Sequence, residues 1–257
     1  FSTSLSIIRF ISLLRLTNIF LINYILKIKK LMNSLDLKAN IIPEVDPGCN
    51  SLAESIKKLK LMKEMNINKV CAAPEYYDSV NFNIDDILIE IQKESSKLDG
   101  FKIPELISGV VYPINIDFKK TNLKTISKTN YIFCRFPTYD LNNNFIENIN
   151  FLFNQNYTPI LMNLENSYFN NKFSKIKELK DMGCLISIDL NSNNWSKESI
   201  ACTNKLDSGN LIDIITGFSK FENLSEIINK FSLSSGIDKE RLEKIYMNET
   251  PNLIIES

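Results

Sequence analysis

The side chains that could do chemistry in this 257-residue chain are carboxylates, amines, guanidiniums and five thiols, because it contains no histidine. Histidine is the commonest ligand of catalytic transition metals and the usual general base near neutral pH. Its absence excludes His-ligated metal hydrolysis and Ser-His-Asp or Cys-His catalysis. The cysteines Cys49, Cys71, Cys134, Cys184 and Cys202 stand far apart, with no C-x-x-C pair and no zinc-type spacing. They are expected to be reduced, in a cytoplasmic protein. Cys71, Cys134 and Cys184 lie in or beside short apolar runs, where a thiol serves as a small buried hydrophobe. Arg135 follows Cys134 directly, so the Cys-x5-Arg spacing of thiol phosphatases is missing. No residue is assigned a catalytic or metal-ligating role.

With 30 basic and 30 acidic residues, the formal net charge is zero. No general attraction to phosphate backbones follows, and nucleic acid is not expected as a partner. The 44% hydrophobic content suits a soluble globular protein with one large core or two small ones.

The elements that must position these side chains alternate from Leu35 onward. Short apolar runs, read as strands, are Leu35–Ile41, Lys69–Ala72, Glu105–Val111, Tyr131–Phe136, Pro159–Met162, Leu185–Asp189 and Leu211–Thr216. Seven strands alternating with helices are the pattern of a mostly parallel sheet or barrel. The first helix opens with an S-x-x-E capping box, Ser51 to Glu54, and carries Leu52, Ile56, Leu59, Met62 and Met65 on one face. Its Lys57, Lys58, Lys60 and Lys63 are read as a solvated face. Further helices are expected at 84–98, 142–153, 172–182, 197–205, 224–231 and 238–247, with Gly183 ending the fourth. In a parallel barrel the C-terminal strand ends converge on one mouth, where binding or chemistry belongs. The turns after the strands begin at Pro43, Pro74, Pro137 and Asn163.

The residues at those turns carry a resemblance. Residues 35–48, LDLKANIIPEVDPG, are similar to the opening motif of the bacterial manganese-dependent protein-tyrosine phosphatases of capsule and exopolysaccharide loci. These enzymes belong to the polymerase and histidinol phosphatase (PHP) superfamily. Their motif is Asp-x-His-x-His-Ile-Leu-Pro followed by an Asp-Asp-Gly turn. Asp36, Pro43, Asp46 and Gly48 keep its frame, while Lys38 and Asn40 stand in the histidine positions and Pro47 in that of the second aspartate. The family's Ala-Thr-Pro-His resembles Ala72-Ala73-Pro74-Glu75, and its Gly-x-Glu-Val resembles Gly109-Val110-Val111-Tyr112. A strand that in the family ends in Glu reads Cys134-Arg135-Phe136-Pro137. Pro159 to Tyr168 resemble a Pro-x-x-Ala-His-Pro-Glu-Arg-Tyr motif, with Asn163 for the histidine, Glu165 kept and Asn166 for the arginine. Thr216-Gly217-Phe218-Ser219 replace Ser-Asp-Ala-His, and Asn248 to Ile254 loosely match a closing Asn-Pro-x-x-Leu.

The resemblance spans residues 33–257 and implies a distorted (β/α)7 TIM-like barrel of the PHP type. For intact relatives it implies a manganese cluster that orients phosphotyrosine and activates water. Here it implies a degenerate pocket at Lys38, Asn40, Pro47, Glu75, Val111, Arg135, Asn163, Asn166, Gly217 and Ser219, with no metal cofactor. Three readings stay open. One is a pseudophosphatase of regulatory or binding role, in which Lys38 and Arg135 either hold an anion such as a phosphotyrosine tail or pair internally with Asp46, Glu75 or Glu165. Another is an active enzyme with an all-oxygen site of Asp46, Glu75, Glu165 and Asp189 around magnesium or calcium. The last is a membrane-tethered scaffold for a tyrosine-kinase partner at the inner face of the membrane.

The tether would be residues 5–30, an apolar run interrupted by Arg9 and Arg15 and closed by Lys27, Lys29 and Lys30. Its uncharged stretch, Leu16 to Leu26, falls well short of the ~20 residues of a spanning helix. An arginine within a span would cost roughly 2.5–3.5 kcal/mol. Residues 1–31 are therefore read as an extension, either a membrane-associated interfacial helix, sequence upstream of a start at Met32, or a helix integral to the domain, ahead of a barrel domain at 32–257.

Overall fold

The computed structural model describes residues 34–47, 49–76, 83–98, 101–138, 144–167, 169–190, 196–217 and 224–256. Among the described residues eight strands occur, most of them separated by helices, and every paired neighbour is parallel. The strands are β1 (Ser34–Ala39), β2 (Ile67–Ala72), β3 (Glu105–Ser108), β4 (Val111–Pro113), β5 (Tyr131–Arg135), β6 (Thr158–Met162), β7 (Leu185–Asp189) and β8 (Ile214–Thr216). Between them run α1 (Leu52–Glu64), α2 (Ile84–Ser96), α3 (Phe145–Asn154), α4 (Phe173–Asp181), α5 (Lys197–Ser208) and α6 (Leu224–Ser235). The chain closes with a short turn α7 (Lys239–Arg241), a π-helical run Leu242–Glu249, and α8 (Thr250–Glu256).

The third expected strand, Glu105–Val111, is two strands. The chain breaks at Gly109-Val110 because it must follow the end of β2: the Gly109 amide donates to Ala72 O at 2.9 Å and the Val111 amide to Pro74 O at 2.9 Å. A Cβ at Gly109 would lie 3.1 Å from Cys71 Sγ, so the close approach suits glycine. The break divides the hydrogen-bonded strands into β1-β2-β3 and β4-β5-β6-β7-β8. The Glu75–Val111 bridge joins the two sets. At the other edge β8 returns beside β1, and the Gly217 amide donates to Asp36 Oδ1 at 3.2 Å.

Alternation along the strands builds two apolar layers. Leu35, Leu37, Cys71, Val111, Phe133, Ile160, Met162 and Ile214 pack together in an inner cluster drawn from nearly every strand. Val70, Ala72, Ile132, Cys134, Leu161, Ile186 and Ile188 join Leu59, Met62, Leu88, Ile91 and Leu152 of the helices in an outer one. Fully burying one such aliphatic side chain stabilises the fold by about 1.5–3 kcal/mol. The apolar face expected on α1 meets the sheet through Leu59 and Met62, with Leu52 and Ile56 half-buried.

The helix ends obey local chemistry. Ser51 Oγ accepts the Glu54 amide at 3.3 Å, and Glu54 Oε2 reaches back to the Asn50 amide at 2.5 Å, one residue ahead of a standard capping box. Gly183 follows the α4 C-cap, Met182, with φ +105, a backbone conformation that favours glycine. The last expected helix, 238–247, departs from expectation: only one turn is α-helical before the π-helical run begins. No helix among the described residues is long and apolar enough to cross a membrane.

Candidate functional site

The C-terminal strand ends bring together residues far apart in sequence. Lys38 sits on β1, Asn40 just beyond it, Glu75 three residues after β2, and Arg135 closes β5. Strict alternation would set Lys38 opposite Leu37, but the register of β1 against β2 slips between Asp36 and Ala39. Leu37 remains in the inner cluster, and Lys38 still reaches Glu75.

Glu75 is the hub. Its Oε1 lies 2.7 Å from an Arg135 terminal nitrogen and 3.8 Å from Lys38 Nζ. The Arg135 contact is the tight one, and the Lys38 contact is at the outer limit of an ion pair. Lys38 Nζ donates to Asn40 Oδ1 at 3.2 Å, and its side chain is only 7% exposed. Placing an ammonium in such a site costs several kcal/mol unless opposite charge and hydrogen bonds compensate. Beside it, the buried Asp36 accepts the Lys38 and Gly217 amides through Oδ1. Asp46 is also buried and accepts the Ile42 amide through Oδ2 at 2.7 Å. Burial raises its carboxyl above the ordinary range, opposed by that hydrogen bond and by the Lys38 charge.

The remaining expected positions divide. Asn163 adopts the left-handed conformation, φ 66, that opens the 3-10 turn Leu164–Asn166. Its Nδ2 donates to Phe136 O at 2.9 Å, next to Arg135. Asparagine tolerates that backbone better than most residues. Asn166 donates to Glu165 Oε1 at 3.3 Å and accepts from Ser199 Oγ at 2.5 Å, tying the turn to α5. Gly217, φ 89, reaches the cluster through Asp36. Val111 is wholly buried in the inner core, and Pro47 is exposed, so neither contributes a functional group. Ser219, Gly48 and Tyr168 lie outside the described residues, as does the extension 1–31.

Sequence reasoning named Glu165 as a candidate anion but missed its raised carboxyl, the hydroxyls of Ser187 and Thr216, and the part played by Lys58. Glu165 is fully buried, and its carboxyl is pushed up to about 8 by desolvation, then by Asp189, against a lowering by Arg135. Its Oε2 has no hydrogen-bond partner among the described residues, nor have Arg135 Nε, Ser187 Oγ and Thr216 Oγ1. Ser187 lies between the outward Ile186 and Ile188, and Thr216 is two residues after the inward Ile214, so both hydroxyls face the barrel interior. Strand parity could have found them. Lys58, read as part of a solvated face, donates instead to Asn40 O at 2.9 Å.

All five cysteines are free and buried. Desolvation raises every thiol, Cys184 and Cys202 to about 12, so none offers a thiolate nucleophile.

As a donor set for a divalent cation these residues do not fit. An ammonium and a guanidinium already sit on the Glu75 carboxylate, and Glu165 is held in its protonated form near neutral pH. Among the described residues, no group of three or more cysteine, aspartate or glutamate side chains is placed to hold a metal ion.

Residues 34–218 match the model of the capsular polysaccharide synthesis family CpsB/CapC. The chain belongs to this family. A chain from the crystal structures of YwqE from Bacillus subtilis and CpsB from Streptococcus pneumoniae, described as unique metal-dependent tyrosine phosphatases, superposes on it with a TM-score of 0.66. Identity is 21%, and the match covers 86% of this chain and 91% of that one. The lactonase Lmo2620 from Listeria monocytogenes superposes with a TM-score of 0.59 at 10% identity, over 88% and 95% of the two chains. The phosphotriesterase homology protein of Escherichia coli, complexed with phosphate, gives 0.57 at 11% identity, over 87% and 99%. No curated protein matches significantly. At these identities the structural likeness speaks for the fold, a distorted TIM-like α/β barrel, as this CpsB/CapC member's sequence led one to expect.

Proposed function

We propose that this CpsB/CapC-family protein is a pseudophosphatase, a barrel kept for binding or regulation in capsule or exopolysaccharide synthesis after loss of the metal chemistry of its relatives. One observation carries the reading. Glu75, the anionic side chain among the degenerate positions, is bridged by Arg135 at 2.7 Å and faced by Lys38 at 3.8 Å, so positive side chains stand where intact relatives are expected to carry manganese. The protein would act in the cytoplasm, at the inner face of the membrane if residues 5–30 tether it, with a phosphotyrosine-bearing bacterial tyrosine kinase as partner.

A second feature favours a narrower form of this reading. Arg135 Nε is buried and unpartnered among the described residues. A phosphotyrosine tail that displaced Glu75 would gain bidentate contact with Arg135 and the charge of Lys38, without being cleaved. The all-oxygen enzyme finds less support: Asp46 is engaged by the Ile42 amide, Glu75 by Arg135, and Glu165 is buried.

The test is hydrolysis of p-nitrophenyl phosphate by the full chain with manganese, with magnesium and without metal, alongside calorimetric titration with a phosphotyrosine peptide. No turnover under any condition is expected, with peptide binding weakened at least tenfold in Arg135→Ala. Metal-dependent turnover abolished by Glu75→Ala would overturn the pseudophosphatase reading. Absence of peptide binding would remove only the phosphotyrosine form of it.

A further inference from the structure

The barrel mouth holds more acid than its degenerate motifs suggest. Asp36 and Asp46 are buried, Glu75 is half-buried, and Asp189 ends β7 near enough to Glu165 to raise its carboxyl. Of these, Glu75 meets cations directly, and a carboxylate taken out of water needs a nearby cation or hydrogen bonds to stay ionised. Lys38 and Arg135 flank Glu75, and Lys58 adds a third positive charge that acts on Asp46. Lys38 is the more telling, because an ammonium on a long flexible chain has no need to be buried on account of its own chemistry. Its Nζ nevertheless lies between Asn40 Oδ1 and Glu75 Oε1, and its charge acts on Asp46.

We propose that Lys38, with Arg135, is a resident counter-ion of Glu75 that ties the ends of β1, β2 and β5 together, so that this barrel folds and stays closed without metal. The inference rests on the pseudophosphatase reading and deepens it. A mouth that binds its cation covalently, as part of the chain, has no vacant coordination position and does not respond to metal supply. Lys38 is a positioning residue here, since it touches its neighbours and no substrate.

The test compares melting temperatures of the full chain and its variants in EDTA and in manganese. The native chain is expected to melt at the same temperature in both. Lys38→Gln keeps a hydrogen-bonding group without the charge, and is expected to melt roughly 5–10 °C lower, the shift produced when one partner of a buried pair is removed. Lys38→Arg keeps the charge and is expected to recover more than half of that loss. Adding Glu75→Gln to Lys38→Gln is expected to cost less than the sum of the two single changes, the coupling of a direct pair. The proposal is overturned if the native chain is itself stabilised by manganese, or if Lys38→Gln melts as the native chain does. Phosphatase turnover by the native chain would instead overturn the reading beneath it, so the two failures are told apart.

Discussion

At the scale of single residues, burial decides what each ionisable group is able to do. Glu165 kept its place in the motif and reads in sequence as a charged ligand candidate, yet full burial pushes its carboxyl up to about 8. The sign of the consequence follows from linkage. The folded state holds a proton that the unfolded chain, with an ordinary glutamate near 4.5, releases earlier. Glu165 therefore costs no stability below about pH 4.5 and progressively lowers stability as pH rises toward 8. Glu165→Gln is expected to flatten this dependence and to stabilise the protein at pH 8 by an amount on the order of a few kcal/mol. Urea unfolding of both forms between pH 5 and pH 8 checks it, and parallel curves would refute it. The cysteines follow the same logic. Burial makes them small hydrophobes, and for Cys71, Cys134 and Cys184 the apolar runs around them foreshadowed it.

At the scale of elements, helix starts and the helix faces toward the sheet were legible because their physics is local. Ser51 to Glu54 marks the start of α1 by residue type alone. What spacing did not disclose is that this helix also serves the mouth. Its Lys58 ammonium reaches Asn40 O, two residues beyond Lys38. Ser51→Ala is expected to destabilise the protein by about 1 kcal/mol, the ordinary cost of losing an N-cap. Lys58→Met is expected to have a smaller effect on stability, since its partner is a neutral carbonyl and the hydrogen bond is only partly buried. Chemical denaturation of the two variants measures the difference, and a larger loss in Lys58→Met would reverse the ranking. Strand interruptions were not legible. The break at Gly109-Val110 and the slip in β1 arise from pairing with β2, and a period-two reading has no access to a partner strand.

At the scale of the whole molecule, the alternation of strands and helices pointed to a parallel sheet or barrel, and the motifs at the turns pointed to the family. Because the Glu75–Val111 bridge and the Asp36–Gly217 hydrogen bond link both edges of the strand sets, the barrel is expected to unfold in one cooperative transition. Two separate transitions by far-UV and near-UV circular dichroism would contradict that. Residues 5–30 belong to a different question. If they tether the protein, the full chain is expected in the membrane fraction and a chain begun at Met32 in the supernatant. Equal partitioning would end the tether proposal.

Sequence by itself determined the fold class, because apolar periodicity, turn prolines and helix caps act over a few residues. It also determined that histidine chemistry is impossible. Only the tertiary structure decided which charges meet. Lys38 could have paired with Asp46, Glu75 or Glu165, and the strand ends bring its ammonium within 3.8 Å of Glu75, while desolvation leaves Glu165 protonated. Ion pairing and desolvation depend on distance and burial across the barrel, and neither quantity is written along the chain.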